Sequence, residues 1–61
     1  MTIEEALNLG KEALHMLPSP QFEASLLLSH AMNVNRSTLI AFPERVLSED
    51  QALRFHSFIE R

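Results

Sequence analysis

The sequence predicts an all-α fold, a small compact bundle of four helices, or of five if a one-turn segment forms between Pro43 and Val46. Apolar residues recur at spacings of three and four along most of the chain, and no stretch alternates as a strand would. Thr2 with Glu5 and Ser48 with Gln51 have the form of capping boxes, in which each end of the first helical turn satisfies the other. Pro18, Pro20 and Pro43 fall between the periodic stretches, where a missing amide proton costs nothing.

The first helix is expected between Thr2 and Leu17, with Ile3, Leu7, Gly10, Leu14 and Leu17 on one stripe. Glu4 and Glu5 suit the positive end of its dipole. Gly10 lies on the buried stripe, where it costs about 1 kcal/mol against alanine, so a second helix is expected to pack closely there. Pro18 ends this helix, Ser19 caps the next, and Pro20 takes its first position. From Pro20 to about Met32, Phe22, Ala24, Leu26, Leu27, Leu28, Ala31 and Met32 make too wide an apolar set for one stripe, which predicts a central helix. Asn33-Val34-Asn35 reads as a turn, since asparagine tolerates left-handed backbone and can accept from the following turn. A short helix from about Arg36 to Ala41 should carry Leu39 and Ile40 inward and stop before Pro43. Ser48 caps a last helix from Glu49 to the C-terminus, with a Leu47 to Ala52 staple and Leu53, Phe55, Phe58 and Ile59 buried.

At 61 residues the chain is one domain at most, with a core of modest stabilising power. It has no cysteine, so disulfides and thiolate metal sites are excluded, which is compatible with the cytosol. It also lacks a long apolar run and a basic leader, so a soluble, cytoplasmic protein with no membrane partner is expected. A net charge of −3 disfavours nucleic acid.

No catalytic, cofactor-binding or metal site is expected in these residues. His15, His30 and His56 could join Glu12, Glu23 and Glu60 around a metal, but no two histidines are three or four apart on one helix, so they read as structural or surface groups. Glu4-Glu5 and Glu49-Asp50 occupy first helical turns, where capping and the dipole account for them. Ser48 and His56 have no third group to make a nucleophile and base, and a cap serine is already engaged. Ala24 to Leu39 is similar to a helix-turn-helix, the DNA-binding alternative, although Pro43 truncates its second helix and Arg36 is the one strong contact it offers. Arg36, Arg45, Arg54 and Arg61 read as solvated surface or as contacts to an acidic partner. Of these, Arg36 and Arg45 are the partner-binding candidates if the fold joins them in a basic rim.

Taken in order, three segments carry a family resemblance. Ser19-Pro20-Gln21-Phe22-Glu23-Ala24-Ser25-Leu26-Leu27-Leu28-Ser29-His30 resembles the second helix of the release-factor glutamine methyltransferases. Arg36-Ser37-Thr38-Leu39-Ile40-Ala41-Phe42 is similar to the short third helix of that family, and Leu47-Ser48-Glu49-Asp50-Gln51 onward to Ile59-Glu60-Arg61 to its fourth. The resemblance implies that residues 1–61 are the N-terminal, substrate-recognising domain of a larger enzyme. It further implies a second domain that binds S-adenosylmethionine and methylates the glutamine of the Gly-Gly-Gln motif in class-1 peptide chain release factors. The implied partners are the release factor and the enzyme's own catalytic domain. A different function, purely structural cover for that domain, would be marked by an exposed cluster of Leu, Met or Phe.

Overall fold

The computed structural model describes residues 1–60, and Arg61, one of the four arginines considered above, lies outside them. The chain forms four helices in the order α1 (Ile3–Ala13), α2 (Pro20–Met32), α3 (Arg36–Ala41) and α4 (Glu49–Ile59). The wide apolar set of α2 places it at the centre, packed against each of the other three. Around it the fully buried Ile3, Leu28, Leu39 and Phe55 form the largest pieces of the core, joined by Ala6, Ala31, Met32 and Leu47. Each large side chain removed from water contributes about 1.5–3 kcal/mol.

Gly10 meets its expectation. A Cβ built there would stand 2.8 Å from Ala24 Cβ and 2.9 Å from Phe55 Cζ, so α1, α2 and α4 converge on the one position without a side chain. Both capping boxes form: Thr2 Oγ1 accepts from the Glu5 amide and Ser48 Oγ from the Gln51 amide, each at 3.2 Å. Glu5 and Gln51 return the bond, accepting from the Thr2 and Ser48 amides at 2.8 Å. The turn after α2 closes as a Schellman motif on Asn33, whose φ of 57° is left-handed. The Asn33 amide donates to His30 and the Val34 amide to Ser29, which satisfies two terminal carbonyls.

Other expectations are corrected. The first helix ends at Ala13, and Leu14 to Leu17 form turns in which Met16 is 78% and Leu17 39% exposed. The apolar spacing persists there, but the chain must already be turning to reach Ser19. Ser19 makes no side-chain cap, because its ψ of 71° differs from the extended values of 166° and 164° at Thr2 and Ser48. Asn35 likewise precedes α3 without a side-chain hydrogen bond. Ile40 is 78% exposed beside a buried Leu39, since neighbours on a helix point about 100° apart and a short helix packs along one edge. Leu53 is 62% exposed for the same reason, two positions from Phe55 and so across the helix from it.

Pro43 to Val46 forms a turn, with Arg45 donating to the Phe42 carbonyl, and adds no fifth helix. Its backbone is engaged elsewhere. The Ile3 amide donates to Arg45 at 2.9 Å, the Glu4 amide to Pro43 at 3.0 Å, and the Leu47 amide to Met1 at 2.8 Å, while Thr2 and Val46 form an isolated antiparallel bridge. The first two of these bonds supply acceptors for amides that the first turn of α1 would otherwise leave without partners.

Candidate functional site

A groove of about 550 Å³ is bounded by α1, the first half of α2, and α3. Leu7 and Lys11 come from α1, one turn apart on the same face, and Arg36, Leu39 and Ile40 come from α3. The start of α2 adds Ser19, Pro20, Gln21, Phe22 and Ser25. The floor is apolar. Buried Leu39 and half-buried Leu7 are flanked by Phe22 and Ile40, which face solvent.

Arg36 is held in place by two neutral neighbours. Its Nε donates to Ser25 Oγ at 3.1 Å, and its guanidinium carbon lies 4.5 Å from the centre of the Phe22 ring. Ser25 in turn donates to the Phe22 carbonyl at 2.7 Å, so one hydroxyl links α3 to the first turn of α2. Stacking on an exposed ring is worth about 0.5–1 kcal/mol and restricts the arginine's rotamers as well. Arg45 stacks on a different ring, with its guanidinium carbon 5.3 Å from the centre of Phe42. The two candidate arginines therefore each have their own aromatic support, and only Arg36 lines the groove. The sequence singled out Arg36, but not Lys11, Phe22 or Ile40 as a surface. The spacing of Leu7 and Lys11 was the available signal, masked by reading the stripe for burial alone.

His15 is exposed, with Nδ1 2.9 Å from the Glu12 carbonyl near the end of α1. No group of three or more histidine, aspartate or glutamate residues comes together to hold a metal among the described residues. A second, polar pocket of about 470 Å³ lies over the turn between α2 and α3, lined by Ser29, His30, Asn33, Val34, Asn35 and Thr38. Glu5 closes the capping box at the start of α1. Hydrogen bonds from the Thr2 amide and hydroxyl hold its carboxyl below the ordinary 4.5.

Four helices around a central α2, with paired capping boxes, are the frame on which the chain can be compared with known proteins. The family model described as the PrmC N-terminal domain matches residues 5–61. The chain belongs to this family. The PrmC N-terminal domain assignment agrees with two relatives, both named release factor glutamine methyltransferase. The one from Koribacter versatilis (strain Ellin345) is 35% identical over 63 residues, covering all of this chain and 22% of the relative. The one from Aliivibrio fischeri (strain ATCC 700601 / ES114) is 37% identical over 43 residues, covering 70% of this chain and 15% of the relative. The chain thus spans about a fifth or less of the relatives it matches. No solved structure matches it. No helix among the described residues is long and apolar enough to cross a membrane.

Proposed function

We propose that residues 1–61 recognise the protein substrate of a cytoplasmic, S-adenosylmethionine-dependent protein-(glutamine-N5) methyltransferase. Its substrate is the Gly-Gly-Gln motif of class-1 peptide chain release factors. The observation that carries the reading is membership of the PrmC N-terminal domain family, together with the names of the two relatives. The methyl donor belongs to the parent's larger domain. The described residues offer it no glycine loop, since Gly10 is packed between Ala24 and Phe55 inside the bundle.

The mechanism is positioning. Contacts made far from the reacting glutamine hold it near the methyl donor and convert part of a bimolecular encounter into an effectively unimolecular one. Surface suited to such contacts is present, since Phe22, Ile40 and Phe42 are exposed by 45%, 78% and 46%. DNA binding is disfavoured because α3 has six residues, about 9 Å of helix, and carries Arg36 as its one cation.

Deleting residues 1–61 from the parent enzyme should raise KM for intact release factor about tenfold or more, equivalent to at least about 1.4 kcal/mol of lost contact. Affinity for S-adenosylmethionine should be retained. Unchanged activity on intact release factor would refute the recognition role. A second reading, favoured by the same exposed side chains, has them cover the parent's catalytic domain. In that case the deletion lowers activity equally on intact release factor and on a short peptide carrying the target glutamine.

A further inference from the structure

We infer that the groove between α1, α2 and α3 is a docking site for a short acidic and apolar segment of the protein substrate. An apolar side chain seats on Leu7, Phe22 and Leu39, and a neighbouring carboxylate pairs with Lys11 or Arg36. This rests on the reading that the domain binds a protein substrate, and it adds where on the domain that happens and the chemistry of the segment.

Charge complementarity selects the occupant. The chain contains eight Asp and Glu against five Lys and Arg, yet none of the residues lining the groove is acidic, and its two charged groups are both cations. An acidic protein that keeps carboxylates away from one apolar hollow has made that hollow its attractive spot for an anion.

Preorganisation is the second argument. Ser25 and the Phe22 ring already fix Arg36, so pairing it with a carboxylate freezes less side-chain motion than pairing a free arginine would. Apolar exposure is the third. Ile40 at 78% and Phe22 at 45% stand beside a volume of about 550 Å³, within the range of ordinary binding pockets, and an incoming apolar side chain would remove both from water.

The test uses the full-length parent enzyme carrying Lys11→Glu or Ile40→Ser. Both positions are exposed, so neither change removes a buried side chain, and if one variant fails to fold the other decides. Kinetics are measured on intact release factor and on a short peptide carrying the target glutamine, beside a deletion of residues 1–61. Each variant should raise KM for intact release factor about 5- to 30-fold with kcat unchanged and peptide kinetics unaffected. Lys11→Glu should also flatten the dependence of KM on salt. Wild-type KM in both variants, with the deletion still impaired, overturns the groove and leaves recognition to another face. Wild-type behaviour in the deletion as well removes the recognition reading altogether. Equal losses on factor and peptide would mean that the parent's larger domain covers the groove, and would also overturn the proposal.

Discussion

Gly10 shows how one absent side chain sets the spacing of three helices. Alanine there gains about 1 kcal/mol of helix propensity but places a methyl group 2.8 Å from Ala24 Cβ and 2.9 Å from the Phe55 ring. Neither neighbour can withdraw cheaply, since Ala24 is fixed to the α2 backbone and Phe55 is fully buried. Overpacking of this kind costs about 1–3 kcal/mol, so Gly10→Ala should lower the urea midpoint despite its better propensity. That a helix approaches closely at Gly10 was legible from the position of glycine on an apolar stripe. Which helices approach was not, because the identity of a packing partner is a non-local fact. The choice between Leu39 and Ile40 was equally closed to a sequence reading, since both are apolar and a six-residue helix shows too little periodicity to rank them. Leu53 is different. Its place across the helix from Phe55 follows from 3.6-residue geometry, and it could have been assigned outward.

Among the elements, the boundaries governed by local bonds were the readable ones. Both capping boxes and the left-handed Asn33 involve residues within a few positions of each other, so their chemistry is written in the adjacent sequence. Thr2→Ala and Ser48→Ala should each cost about 1 kcal/mol, measurable by thermal or urea unfolding. The two boxes differ in one respect, because Glu5 titrates and Gln51 does not. The folded-state pKa of Glu5 lies below its ordinary value, so its contribution is present above 4.5 and is lost as pH falls through the lowered value. Ionised Glu5 thus makes the domain more resistant to unfolding at neutral pH than in acid. Glu5→Gln should keep the box and remove this part of the acid sensitivity, seen as a flatter plot of stability against pH. The end of α1 was misread because its stripe continues to Leu17, while the helix stops once the chain turns towards α2.

At the scale of the whole molecule, the domain has little stability in reserve. A core of this size supplies about 3–5 kcal/mol, and emptying the site of one large buried aromatic costs about as much. Phe55→Ala should therefore leave the isolated domain largely unfolded at 25 °C, with helical circular dichroism lost and no cooperative transition remaining. The overall plan of a central α2 was legible in its all-round apolar composition, and the groove was partly legible through Arg36. The clasp between the first residues and the segment Pro43 to Leu47 left no trace in the sequence, because it is made by backbone groups that every residue carries.

That clasp gives one loop amide an unusual standing in deuterium oxide. Amide protons of loops ordinarily trade with solvent through small local openings, whereas those of core helices wait for the chain to unfold. The Leu47 amide belongs to no helix, yet its acceptor is the carbonyl of Met1, and its side chain is only 6% exposed within the core. It is released when the first residues and the segment before α4 separate. Its exchange should therefore be slower than that of exposed loop amides, and should quicken when Thr2 is replaced by alanine.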